Sequence, residues 1–187
     1  MSPGKPLLLI DVDGPLNPYA RSNNQLRKTG SSTSNASVEE RFHLYKLLGY
    51  RVWLNRWHGQ QLCALADRFE LTWCTTWQHE ANSLIAPRIG LPKLPVIEFP
   101  DSPPKPDSRI YFKTPTVVKY AAGRPFAWLD DEITTWDEKY IRQYHDGPSL
   151  LVWIDPITGL QRTHFTTLTD WATELTANQE PAPECST

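Results

Sequence analysis

Residues 7–18 read LLLIDVDGPLNP. The apolar run Leu7–Ile10 is too short for a helix or a membrane span and is closed by Asp11, so it reads as a buried strand of a parallel sheet. The residues after it decide how that sheet is used. Asp11 and Asp13 stand one residue apart at the carboxyl end of the strand, the edge where open α/β sheets bind ligands because loops diverge and helix N-termini converge there. Side chains alternate along an extended strand, but a turn opening at Gly14 lets both carboxylates face the same crevice.

Working outward, short apolar runs alternate with segments of helical period, the pattern of a parallel sheet covered by helices. Strands are expected at Leu7–Ile10, Leu71–Thr75, Leu94–Phe99, Phe126–Leu129 and Leu150–Ile154. Leu62, Leu65, Ala66 and Phe69 give one apolar helical face, and Leu168, Trp171, Ala172 and Leu175 give another. Thr114 reads as an N-cap before Pro115 in a helix stopping near Gly123, and Thr135 with Glu138 reads as a capping box for a helix ending near His145. Phe42–Leu47 and Arg51–Leu54 flank Gly49 as a hairpin projecting from the sheet. The expected architecture is a three-layer, Rossmann-like, doubly wound and mainly parallel α/β domain over residues 1–176. It carries an insert over 19–57, including a polar loop over 21–41, and a frayed tail over 177–187.

Composition narrows the function. The 187 residues include 19 basic and 21 acidic ones, a formal net charge of -2, which gives no electrostatic case for duplex nucleic acid or an anionic membrane as main partner. Cys63, Cys74 and Cys185 lack metal-ligand spacing and are odd in number, so the expected setting is reducing and cytoplasmic. Of the 8 tryptophans, Trp53, Trp73 and Trp128 lie inside apolar runs and read as core. Trp57, His58, Trp77, Gln78 and His79 are candidates for a pocket rim.

A second acidic strand end supports a site. Phe126–Leu129 runs into Asp130, Asp131 and Glu132, whose mutual repulsion is costly unless a cation or solvent relieves it. Hard oxygen donors gathered in this way favour Mg²⁺. Between the two acidic ends, Thr75 and Thr76 close a strand with hydroxyls that can hold a phosphoryl oxygen. Lys113 precedes a helix start, where the dipole disfavours a cation unless an anion compensates.

The order DVDG, threonine, lysine and LDDE, each at or near a strand end, resembles the haloacid dehalogenase superfamily over roughly Leu7 to Asp131. The resemblance implies a Mg²⁺-dependent phosphomonoester hydrolase working through an aspartyl phosphate. Asp11 would be the nucleophile, Asp13 the general acid/base, Thr75 the phosphate-binding hydroxyl with Thr76 as competitor, and Lys113 the charge-neutralising cation. Asp11, Asp13, Asp130 and Asp131 would form the metal set, and Gly14, Thr76, Trp77 and His79 would meet the substrate. The second aspartate argues for phosphoester chemistry over carbon–halogen cleavage. Only the 19–57 insert has room for a cap, which implies a capless or minimally capped enzyme with the hairpin and polar loop as its flap. Its open site has room for a large substrate or a partner that closes it, and the expected partner is a small phosphorylated substrate. Arg21, Arg27, Lys28 and Arg41 are the cations that loop brings. Two alternatives remain open at this level: a non-catalytic phosphate-binding or interaction module of the same fold, and a nucleotidase or phosphotransferase acting on nucleotides or nucleic-acid ends.

Overall fold

The computed structural model describes residues 4–20, 41–100 and 107–177. Apart from Arg41, the polar loop expected over 21–41 lies outside these residues, as do the tail after Ala177 and most of the connector over 100–108. Four parallel strands form the main sheet: β1 (Leu7–Ile10), β4 (Glu70–Trp73), β5 (Phe126–Asp130) and β6 (Ser149–Trp153), in the order β4-β1-β5-β6. β2 (Phe42–Leu47) and β3 (Tyr50–Asn55) pair antiparallel as a separate hairpin. The helices are α1 (Arg56–Leu65), α2 (Ala86–Ile89), α3 (Thr114–Ala121), α4 (Thr135–Tyr144) and α5 (Arg162–Ala177), with a π-helical turn over Ala81–Ile85 leading into α2. The chain is thus an α/β protein with a four-stranded parallel sheet flanked by helices, consistent with a Rossmann-like fold.

The central strands β1 and β5 are buried on both faces, which is why they are almost continuously apolar rather than alternating. Leu8 and Ile10 of β1 face a core shared with Leu62 and Leu65 of α1, Ile89 of α2 and Leu168 of α5. Leu7 and Leu9 face a second core with Val117 of α3 and Ile141 of α4. Trp53, Trp73 and Trp128 are buried, as expected for core residues. Gly59 of α1 lies directly against the Ile89 carbonyl of α2, where any Cβ would collide with backbone. Among the described residues no helix is long and apolar enough to cross a membrane.

Several local expectations are corrected. Leu94–Phe99 is not a strand: Pro95 has no N–H to give, and the segment makes two bonds beside β4, Trp73 N to the Pro95 carbonyl and Ile97 N to the Trp73 carbonyl. Ala66 is exposed just past the end of α1. Thr114 does not cap α3, because Lys113 occupies the cap position and the Thr114 hydroxyl turns to Asp137. The capping box of α4 uses Thr134 and Asp137, one residue earlier than expected; the sequence TTWDE offers both registers, and the observed one buries Asp137. Trp57 and His58 do not rim the crevice. Trp57 packs edge-on to Phe165 with ring centroids 5.3 Å apart, and His58 is buried, its Nε2 3.1 Å from the Leu160 carbonyl.

That carbonyl can only accept, so His58 Nε2 carries the proton and the buried Nδ1 is left bare. Burial pulls the His58 pKa down to about 4, from an ordinary value of 6.5. The unfolded chain therefore takes up a proton that the folded chain refuses, and stability present above pH 6.5 declines as the pH falls toward 4. The expected loss is on the order of 3 kcal/mol across that window. Denaturant titrations of wild type and His58→Phe at several pH values check this. The variant should lose the hydrogen bond, about 1 kcal/mol, and show a correspondingly flatter dependence between those two pH values.

Candidate active site

Three neighbouring strand ends converge on one ammonium group. β1 is followed by Asp11, β5 carries Asp130 at its last position, and β4 is followed by Cys74 and Thr75. Lys113, immediately before α3, is fully buried and reaches all three. Its Nζ lies 3.0 Å from Asp11 Oδ2 and 2.9 Å from Asp130 Oδ2, and donates to the Cys74 carbonyl at 3.1 Å. The three N–H donors of a lysine are thereby matched by three acceptors.

The remaining carboxylate oxygens are held by backbone. Val12 N donates to Asp11 Oδ1 at 2.7 Å, and Glu132 N donates to Asp130 Oδ1 at 3.0 Å. Asp131 is half-buried and accepts from the Tyr19 hydroxyl at 2.7 Å, while its backbone carbonyl accepts from Trp153 Nε1 at 2.7 Å. Gly14 has φ +84°, and a Cβ there would run into the Asp131 carboxylate, so glycine is required both by conformation and by the close approach of the two loops.

The electrostatics follow from burial and from two carboxylates, Asp11 and Asp130, sharing one cation beside a third, Asp131. Burial opposes the charge on Lys113, but Asp11 and Asp130 outweigh it and hold the ammonium well above the ordinary lysine range. Burial pushes Asp130 up to about 7, helped by the negative charge of Asp11 and opposed by Lys113. Burial also raises Asp11 and Asp131, against the pull of Lys113 on the first and the Tyr19 hydrogen bond on the second. The site is short of positive charge.

Oxygens of Asp11, Asp130 and Asp131 all lie within 4.8 Å of one another. Such an all-oxygen set, buried and under-neutralised, has the chemistry that suits a hard divalent cation. Asp13 does not join it. Its Oδ1 accepts from Asn17 Nδ2 at 2.7 Å and its Oδ2 from Trp77 Nε1 at 2.9 Å. Asn17 in turn accepts from Trp53 N at 2.9 Å, which ties the hairpin to the carboxylate loop.

Thr75 and Thr76 separate in role. Thr75 is buried, donates to Asp11 and receives the Trp77 amide at 3.3 Å, whereas Thr76 is exposed and lines the crevice. His79 turns away: its Nε2 sits 2.9 Å from Glu98 Oε1, both side chains about two-thirds exposed, and Gln78 before it has φ +43°. Arg21, Arg27 and Lys28 fall outside the described residues, and Arg41 is exposed.

The centre opens into a cavity of about 330 Å³ lined by Asp11, Asp13, Tyr19, Thr76, Lys113 and Asp131, among others. Beside it lies a second cavity of about 500 Å³ that includes Trp77 and the hairpin residues Leu48, Tyr50, Arg51 and Val52. Tyr19, which lines both, went unnoticed in the sequence because nothing marks a tyrosine after Asn-Pro as a carboxylate partner. Tyr111 was missed for the same reason. It lines the first cavity and stacks 6.2 Å from Trp128. Asp137 was also missed. It accepts from Thr114 Oγ1 at 2.6 Å, Tyr111 N at 2.8 Å, Thr134 N at 2.9 Å and Thr134 Oγ1 at 2.7 Å, fixing the turn that carries Lys113.

No protein-family model matches the chain, and no curated protein matches it.

Two substitutions probe this support by thermal melting. Gly14→Ala should cost about 1–2 kcal/mol from backbone conformation alone, with a further loss from displacing Asp131. Asp137→Ala strips a buried acceptor from several donors at once and should cost on the order of 2–4 kcal/mol, although Asp137 lies outside the cavity.

Proposed function

We propose that this chain is a Mg²⁺-dependent phosphomonoester hydrolase of the haloacid dehalogenase type, working through an aspartyl phosphate on Asp11. The observation that carries the reading is the buried Lys113 ammonium, 3.0 Å from Asp11 and 2.9 Å from Asp130, at the carboxyl edge of a parallel sheet with Asp131 alongside and an open cavity in front. A single buried carboxylate–lysine pair has a structural explanation, but an excess of buried carboxylates facing a cavity calls for a cation, and with it bound a phosphoryl group can approach.

Each residue then has a role. Lys113 Nζ, Thr75 and Val12 N hold the Asp11 carboxylate in one orientation, which supplies the alignment that phosphoryl transfer chiefly needs. With its N–H groups engaged, Lys113 acts on a phosphoryl group as a point charge rather than as a fresh donor. The exposed Thr76 offers its hydroxyl to a phosphoryl oxygen from the cavity wall. An oxygen of Asp11 bonds to phosphorus as the bond to the leaving oxygen breaks, and Asp13 gives that oxygen its proton. Asp13 then takes a proton from water as the water oxygen bonds to phosphorus, releasing Asp11 and free phosphate. Asn17 and Trp77 Nε1, at 2.7 and 2.9 Å, aim the Asp13 carboxyl throughout. Asp11, Asp130 and Asp131 would hold Mg²⁺, which when bound neutralises phosphoryl charge and lets one anion approach another.

Hydrolysis of a generic phosphomonoester by the purified chain tests the reading. Asp11→Asn should abolish turnover, and Asp13→Asn should slow it by on the order of 10²–10⁴-fold. EDTA should stop the reaction and added Mg²⁺ restore it. Turnover that persists in the Asp11 variant or in EDTA overturns the proposal. Phosphate binding without hydrolysis across a broad panel would favour a non-catalytic module instead.

A further inference from the structure

Asp13, Tyr19 and Thr76 line both cavities, so the two adjoin at the group assigned as acid/base. The first contains Asp11 and Lys113 and therefore takes the phosphoryl end. Asp13 must touch the leaving oxygen, so whatever that oxygen is attached to continues past Asp13 into the second cavity. At about 500 Å³ that space is within the range of small-molecule sites.

Its walls are mixed: Tyr50, Trp77, Leu48 and Val52 supply aromatic and aliphatic surface, and Arg51 and Glu80 bring opposite charges. Tyr50 and Leu48, at the tip of the hairpin, are 68% and 64% exposed, large apolar side chains left open where burial would ordinarily stabilise them. Leu48 is held there by a tight turn with φ +50°. Trp77 is fixed through its ring N–H to Asp13 and its amide to Thr75, so its ring is oriented before any ligand arrives. Tyr50 and Trp77 meet edge to face, centroids 6.3 Å apart at 68°, so neither ring is stacked flat on the other, and Tyr50 is largely exposed.

We propose that the second cavity is a leaving-group subsite selecting phosphomonoesters whose alcohol carries a flat aromatic ring, packed against Tyr50, Leu48 and Trp77. This rests on the hydrolase reading for its direction, because Asp13 as proton donor is what places the leaving group there. A nucleobase and a simple aryl group share the required chemistry.

The test compares kcat/KM of the full chain, with Mg²⁺, for glycerol phosphate, benzyl phosphate and a nucleoside 5′-monophosphate, three esters of alkyl alcohols with similar intrinsic leaving ability. The ring-bearing substrates should exceed glycerol phosphate by on the order of tenfold, and Tyr50→Ala should remove most of that margin while leaving glycerol phosphate nearly unchanged. Benzyl phosphate equal to the nucleotide identifies a general aryl site, and a clear lead for the nucleotide identifies a base site. Equal kcat/KM for all three in wild type, or a ring preference untouched by both Tyr50→Ala and Leu48→Ala, overturns the subsite. Absence of turnover with all three counts against the hydrolase reading, and calorimetry then decides the subsite by itself. Nucleoside monophosphate binding to Asp11→Asn that weakens about tenfold on adding Tyr50→Ala sustains it, and binding indifferent to Tyr50 rejects it. Tyr50 is largely solvent-exposed, so an unchanged melting temperature should verify that the variant is folded.

Discussion

The Lys113 ammonium holds the functional end of the sheet together. It bonds to a carboxylate after β1, a carboxylate at the end of β5 and a carbonyl after β4, so three adjacent strand ends are pinned to one point. Burying these charges is expensive, and a packed apolar cluster of similar volume would generally stabilise a fold as well or better. Under the proposed function the arrangement is preparation for a ligand. Three carboxylates outnumber the one cation among them, and burial, the largest cause, raises Asp11, Asp130 and Asp131 above their ordinary range.

Precision at that point depends on groups set back from it. Asp137 never reaches the cavity, yet it gathers the Tyr111 amide and the Thr114 hydroxyl, the residues on either side of the segment that presents Lys113. Asp131 is positioned from two directions, by the Tyr19 hydroxyl and by the Trp153 indole acting on its backbone carbonyl. A mobile or misplaced lysine would leave buried carboxylates unpaired, so the cost of loosening this supporting layer falls on stability as well as on geometry.

The layer order and the meeting of the acidic strand ends were legible in the sequence because they follow from local signals: short apolar runs, a DxDG turn and a second run ending in DDE. The position of Lys113 was legible as an anomaly, a cation where a helix dipole disfavours one. What escaped depends on choices between equivalent local patterns or on long-range partners. The two capping registers in TTWDE differ by one residue, and only burial of Asp137 against α3 separates them. Leu94–Phe99 has the composition of a strand, but Pro95 leaves it too few donors to join the ladder. His79 stood near Thr75 in sequence, yet a positive φ at Gln78 turns the chain outward before it. Tyr19 lies 112 residues from Asp131, a separation over which no periodicity carries information.

The hairpin adds a point about how such a molecule can diversify. β2 and β3 pair with each other rather than with the main sheet, and apart from its two chain neighbours nothing described lies within 4 Å of where a Cβ at Gly49 would stand. The anchoring contact, Trp53 to Asn17, is at the buried end of β3, remote from the tip that bears Leu48 and Tyr50. The tip is therefore free to change in length and composition while the ionic centre keeps its geometry. Under the proposed function, such a scaffold separates what it must conserve from what it can trade, and lets new specificities be explored by exchanging a few residues at one turn.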